Sequence, residues 1–272
     1  MDPIHFSIVR SYMKPLEPKR FRLTIAYDGT AYVGWQVQPN GLAVQEVIEK
    51  VLQGLVGEEV KLHGSGRTDQ GVHAHGQVAH VDLHTRMDAA ALHRALNSRL
   101  PPDIRVWQVR KAKPDFHARR SAVSKEYRYF VWNGPIQPPD RRLYTAPFRR
   151  PLNLPAMQAA AQRFVGEHDF ASFTANPNRV IESTVRQVTM FTVRKQGPLL
   201  CFRVRGNGFL YKQVRSMAGF LLRVGEGVEP PEAVTELLQH AIPRTARVPT
   251  AEPQGLFLWQ VWYGIRRVRR IP

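Results

Sequence analysis

Asp69 lies in the run Gly64-Ser65-Gly66-Arg67-Thr68-Asp69-Gln70-Gly71-Val72-His73, where the sequence first suggests chemistry. A single carboxylate on a turn can act as a nucleophile or a general base, provided a cationic partner fixes its environment. Arg67, two residues upstream, is one such partner. Three glycines within eight residues are expected to supply positive φ and steric room, so that backbone can approach a substrate closely. The same run also reads as an ordinary hairpin loop in which Asp69 merely forms the turn. Arg215 is the second candidate partner. It closes Gly208-Phe209-Leu210-Tyr211-Lys212-Gln213-Val214-Arg215, where basic and aromatic residues interleave after a Gly206-Asn207-Gly208 turn. A solvated helix face is the plainer reading of Arg215. Tyr127 and Tyr129, in Lys125-Glu126-Tyr127-Arg128-Tyr129, fall on one strand face and read either as a stacking platform for a base or as core tyrosines.

The histidines raise a metal reading. His73 and His75 with Asp69 have ligand-like spacing, and His80, Asp82 and His84 share one strand face, as in zinc or manganese hydrolases. No HExxH pattern and no further carboxylate cluster accompanies them, and imidazoles on a basic chain also serve as contacts to phosphate or solvent. The glycine turn lacks the Gly-Lys-Ser/Thr ending of a phosphate-binding P-loop. Cys201, the only cysteine, lies in an alternating strand-like stretch and reads as a small packed side chain; it excludes a disulfide framework and a multi-cysteine zinc site.

These residues need elements to hold them. Arg20 to Tyr27 alternates with period two and ends at Asp28-Gly29, a strand and turn. Ala43 to Leu55 puts Val44, Val47, Ile48, Val51, Leu52 and Leu55 on one helical stripe. A short strand over Val60 to Leu62 enters the glycine turn, and Gln77 to His84 is a further strand. A helix from Asp88, its N-cap, runs to Leu100 and stops at Pro101-Pro102; Ile104 to Val109 is a strand. The order is β-α-β-β-α-β, the split pattern of ferredoxin-like folds. The second part repeats it: strand Tyr127–Trp132, helix Leu154–Val165, a hairpin of Thr184–Arg194 and Leu199–Arg205, helices Leu210–Val224 and Pro231–His240, and strand Leu256–Tyr263. Gly134 to Pro151, rich in proline and arginine, reads as a long exposed loop. The expected class is α+β, with two ferredoxin-like halves forming one continuous, mainly antiparallel sheet, helices on one side and a central cleft. The expected division is a loose extension over 1–19, halves over 20–118 and 119–265, and a basic tail over 266–272.

Charge points to the partner. Lys and Arg number 39 against 22 Asp and Glu, a formal net charge of +17 over 272 residues. The pI near 10.6 lies in the range of nucleic-acid binders. Arginine dominates the basic residues, and its guanidinium both grips phosphate bidentately and stacks on bases. No apolar run approaches the roughly 18 residues of a membrane span, and the first residues lack the hydrophobic core of a signal peptide. A reducing, cytoplasmic location without membrane contact is the expectation. On composition and order alone, a non-catalytic RNA-binding module and a metal-dependent nuclease remain rivals to an enzyme built on Asp69. The strand Gln77 to His84 has none of the exposed aromatics that the corresponding strand of an RRM carries.

Across Arg20 to Tyr263 the chain resembles the tRNA pseudouridine synthase A family. The resemblance is carried by Tyr27-Asp28-Gly29 with Gly34-Trp35-Gln36, by Gly66-Arg67-Thr68-Asp69 with Gly71-Val72-His73-Ala74, and by Gly76-Gln77-Val78. Further matches are Leu96-Asn97, Asp115-Phe116-His117-Ala118-Arg119, Tyr127-Arg128-Tyr129, His168-Asp169-Phe170 with Ser172-Phe173, Phe209-Leu210-Tyr211 with Val214-Arg215, and Pro253 with Gly255-Leu256. The resemblance implies two ferredoxin-like halves and isomerisation of uridine to pseudouridine at nucleotides 38, 39 and 40 of the tRNA anticodon stem-loop. It implies no cofactor and no metal, and a homodimer in which one tRNA touches both subunits. By matched position it makes Asp69 the catalytic aspartate, Arg67 the arginine that displaces the target base, and Tyr127 the tyrosine stacked on the uracil. It makes Arg215 the partner of the aspartate and Leu256 an apolar wall of the base pocket. Two residues depart from the family's pattern: Gln70 stands where alanine is usual and Gln213 where methionine is usual.

Overall fold

The computed structural model describes residues 16–175, 182–240 and 243–264. The expected loose extension, apart from its last four residues, and the expected basic tail lie outside these.

The chain makes two passes of the same pattern. The first runs β1 (Lys19–Tyr27), α1 (Val44–Val56), β2 (His63–Gly64), β3 (His73–Leu83), α2 (Ala89–Arg99) and β4 (Ile104–Lys111). The second runs β5 (Ala122–Asn133), β6 (Ala146–Phe148), α3 (Leu154–Arg163), β7 (Gly166–Asp169), β8 (Val185–Gln196), β9 (Leu199–Gly206), α4 (Gln213–Gly225), α5 (Ala233–His240) and β10 (Leu256–Tyr263). In the first pass β1 lies between β4 and β3, and in the second β5 lies between β10 and β9. The strands join in the order β4-β1-β3-β10-β5-β9-β8-β7, so the closing strand of the second pass docks on the first pass. That junction is the parallel pairing of β10 with β3, through Phe257 with His73 and Leu258 with Ala74. The short β2 occupies the same edge of β3 farther along, at His80 and Ala79. All other main-path pairings are antiparallel.

Alternation places the core on one face. Phe21, Leu23, Ile25 and Tyr27 of β1, Tyr127, Tyr129 and Val131 of β5, and Leu200, Phe202 and Val204 of β9 are buried, while their neighbours are partly exposed, except Glu126, which is buried among Arg128, Arg203 and Arg205 on the opposite face. The helices pack over that face: α2 on β4, α3 on β8 and α4 on β5. Of the predicted α1 stripe, Val44, Ile48 and Leu52 are fully buried, and the helix ends on Gly57 in the left-handed conformation. The Asp88 carboxylate caps α2 by accepting from the Ala91 N–H, as the sequence leads one to expect.

The differences from the sequence reading have local causes. Strand β3 begins four residues earlier than predicted, because His73 and Ala74 pair with β10, a contact no local pattern announces. Residues 60–62 belong to no strand, and the strand at that point is His63–Gly64. Strand β7 carries no sequence signal, since Gly-Glu-His-Asp has no apolar alternation. Helix α4 starts at Gln213, three residues later than predicted, because Lys212 takes φ 58°. The predicted loop over 134–151 contains the strand β6, paired with β5.

Candidate active site

Asp69 sits on the turn between β2 and β3, and the turn is tied down on several sides. Ser65 N–H donates to Val78 O at 2.7 Å, and Ser65 Oγ donates to Gln77 Oε1 at 2.7 Å. Gln77 Nε2 donates to Gly66 O at 2.8 Å. The Tyr27 hydroxyl bonds Thr68 Oγ1 at 2.8 Å, and Trp35 N–H donates to Thr68 O. Ser65 and Gln77 are fully buried, so these bonds are made away from water and hold the turn rigidly.

The turn glycines do not all act as expected. Only Gly71 has positive φ, at 73°; Gly64 and Gly66 do not. Gly64 is required for space instead, since a Cβ there would lie 2.5 Å from the Trp35 indole nitrogen.

Asp69 meets the second half of the chain through Arg215. Arg215 Nη1 donates to Asp69 Oδ2 at 2.9 Å, and the two side chains retain 12% and 22% of their exposure. Arg215 is itself oriented, for its Nε donates to Ala251 O at 2.8 Å. An ion pair this sheltered is screened less than a surface pair. Arg215 is therefore no solvated helix face.

All five residues singled out by the resemblance line one pocket: Arg67, Asp69, Tyr127, Arg215 and Leu256. Arg67 is exposed at its rim and Leu256 is buried in its wall. Leu256 reaches the pocket because it immediately precedes the β3–β10 junction. Tyr127 is 8% exposed and packs edge-on against Phe209, ring centroids 5.3 Å apart. Burial, with Tyr27 and Asp69 nearby, pushes the Tyr127 phenol upward, so it stays protonated and offers a neutral ring. Tyr129, its partner on the same face, is a core residue whose hydroxyl donates to Glu252 O.

Sequence reasoning does not single out Phe209, Leu210 or Lys212 individually, yet they line the pocket too. Their signal is the basic and aromatic interleaving before Arg215. Gln213 also lines it, and its Oε1 accepts from Leu210 N–H at 2.8 Å while the residue is fully buried. Gln70, the other departure, is exposed and lies outside the pocket lining.

The two histidine sets that the spacing brings to mind do not come together. His73 is buried, stacked on Phe257, and bonded to Gly29 N–H and Leu143 O; His75 stacks on Trp259. On the other set, His80 accepts from Ala118 N–H, Asp82 pairs with Arg20 and His84 with Glu58. Among the described residues, no group of three such side chains is placed to hold a metal ion. Nor, among them, is any helix long and apolar enough to cross a membrane.

With this geometry in place, the similarities to known proteins can be read. A family model described as tRNA pseudouridine synthase matches residues 23–119 and 160–264, one match in each pass of the fold. The chain is 45% identical over 245 residues to a tRNA pseudouridine synthase A from Pelobacter propionicus, covering 90% of this chain and all of that one. It is 44% identical to the enzyme of the same name from an Exiguobacterium strain, over 90% and 98% of the two chains. The one from Chlamydia trachomatis is likewise 44% identical, over 90% and 92%. Matches of this extent, spanning both halves and the pocket between them, show that the chain belongs to the tRNA pseudouridine synthase family.

Proposed function

We propose that the chain isomerises uridine at nucleotides 38, 39 and 40 of the tRNA anticodon stem-loop, with Asp69 as the reacting carboxylate. The observation that carries this reading is the convergence of Asp69 and Tyr127 on one pocket from separate halves, with Arg215 bonded to the carboxylate.

The reaction breaks the C1′–N1 bond, turns the uracil and forms C1′–C5. Nothing is oxidised and no group leaves the substrate, so one carboxylate suffices, either attacking C1′ or taking a proton from C2′. With Oδ2 held by Arg215, we place Oδ1 against the ribose. The uridine must first leave its stack, at a cost of a few kcal/mol. Arg67 at the rim fills the vacated space, Tyr127 covers one face of the flipped ring, and Leu256 gives the pocket an apolar wall. The released uracil can then turn without escaping.

The arginines of the loop before α3 serve the RNA backbone in this reading. Arg141, Arg142, Arg149 and Arg150 are all exposed, with Arg141 beside Asp140 and Arg150 beside Glu226. Binding is therefore expected to weaken steeply with salt. We further propose that the protein works in the cytoplasm as a homodimer. Trp107, 58% exposed and near the His75–Trp259 stack on the outer side of the sheet, supports an association surface there; sedimentation tests it.

The deciding experiment incubates the protein with tRNA carrying tritium at uridine C5, in the presence of chelator. Isomerisation releases tritium and leaves the RNA intact. Asp69→Asn, which keeps shape and removes charge, is expected to abolish release while tRNA binding survives. An active Asp69→Asn variant overturns the reading.

A further inference from the structure

Lys125 lies two residues before Tyr127 on β5, so the two side chains share a sheet face. Its ammonium crosses to the other half and donates to Ser65 O at 2.6 Å. Ser65 opens the turn that carries Asp69, four residues on. The contact is close packed: a Cβ on Gly66 would lie 3.1 Å from Lys125 Nζ.

Several other bonds of this turn tie it to its own half. Ser65 and Gly66 are bonded to Gln77 and Val78 of β3, and Thr68 to Tyr27 of β1 and to Trp35. Such bonds fix the shape of the turn but not its distance from Tyr127, which belongs to β5. Among the bonds that span the halves are the two-residue pairing of β3 with β10, Arg215–Asp69, Lys125–Ser65, Tyr144–Asp28 and His73–Leu143. Of these, Lys125 alone joins the aspartate turn directly to the strand bearing the tyrosine.

We propose that Lys125 is a positioning residue, a strut that sets the separation of the Asp69 turn from Tyr127. Burial beside Arg119 lowers the ammonium to about 8, the mark of a lysine held in a sheltered site instead of one free to seek phosphate in solvent. The inference rests on the proposed roles of Asp69 and Tyr127. A strut of this kind acts on the chemical step: a displacement near 1 Å costs about 100-fold in rate.

The test compares Lys125→Met and Lys125→Arg in the full-length protein by tritium release, with tRNA affinity and thermal unfolding measured alongside. Lys125→Met is expected to lower kcat by about 10- to 100-fold, with KM, tRNA affinity and melting close to the parent. Lys125→Arg, which can still donate to Ser65 O, is expected to recover much of that loss. A rise in KM with unchanged kcat overturns the proposal and makes Lys125 a contact to RNA. Equal activity in Lys125→Met overturns it outright, as does a fall in kcat that merely tracks a fall in melting temperature. Failure of the underlying reading is separable, because it shows in Asp69→Asn, whose activity does not depend on the strut.

Discussion

Arg215 Nη1 lies 2.9 Å from Asp69 Oδ2, across 146 residues of sequence and from the opposite half of the fold. The guanidinium makes two directed bonds at once, one to the carboxylate and one to Ala251 O. A lysine ammonium on a flexible stem cannot hold both in that fixed fork. Arg215→Ala is expected to lower kcat/KM by about 100- to 1000-fold, the loss typical of one preorganised electrostatic contact. Arg215→Lys should fall between this variant and the parent. Tritium release measures both, and an Arg215→Lys variant with parental turnover would show that the double bond is dispensable.

The ring and the hydroxyl of Tyr127 make separate demands. Because burial keeps the phenol protonated, the hydroxyl is no base in the neutral range, and the flat ring remains as the useful surface. Stacking of one base on an aromatic side chain is worth about 1–3 kcal/mol. Tyr127→Leu is therefore expected to lose about 5- to 150-fold in kcat/KM, and Tyr127→Phe to stay within a few-fold of the parent. If the two variants lose activity equally, the hydroxyl is the group that matters.

The sequence exposes local structure well and distant pairing poorly. Strand β10 matches its predicted bounds, since its residues are apolar between clear turn signals. Helix α2 is legible from Asp88 as its cap and Pro101-Pro102 as its stop. The repeated strand order also shows, because each element carries its own periodicity. The junction of β3 with β10 is hidden: it joins His73 to Phe257 through two residue pairs, with nothing in either stretch to mark it. The same holds at the site. The residue types of Asp69 and Arg67 announce chemistry, whereas the bond from Lys125 to Ser65 is a product of the assembled halves. The histidine spacing misleads because a shared strand face says nothing of what packs against it. His84 looks outward to Glu58, while His80 is 3% exposed beneath His63 and His117.

Gln213, the departure from the usual methionine, has a definite task. Its Oε1 satisfies the buried N–H of Leu210 at the entrance of α4, where Lys212 takes its left-handed conformation. Gln213→Met restores the family's commoner residue but leaves that N–H without its acceptor. An unsatisfied buried donor costs about 1–3 kcal/mol. The variant is expected to melt about 2–12 °C lower, at the roughly 2–4 °C per kcal/mol of a chain this size. A variant that melts at or above the parent's temperature would mean that the loop before α4 finds another acceptor at no cost.

His80 makes the fold sensitive to acid. Burial pushes its imidazole down to about 4, and His63, His117 and Arg20 push the same way against Asp82. In the unfolded chain the group titrates near 6.5. Between pH 6.5 and 4 the unfolded state therefore binds a proton that the native state refuses, and stability falls as the solution is acidified. The contribution is complete above pH 6.5, diminishes through this window and levels off below pH 4, where both states are protonated. The full loss is on the order of 3 kcal/mol, because each tenfold difference in proton affinity between the two states is worth about 1.4 kcal/mol. His80→Gln, whose amide oxygen can still accept from Ala118 N–H, removes the titration and keeps the bond. Denaturant unfolding from pH 7 to pH 4 should give a shallower decline for the variant than for the parent. Parallel declines would place the acid sensitivity elsewhere, and the carboxylates paired with arginine, among them Asp82 and Glu229, would be the next groups to test.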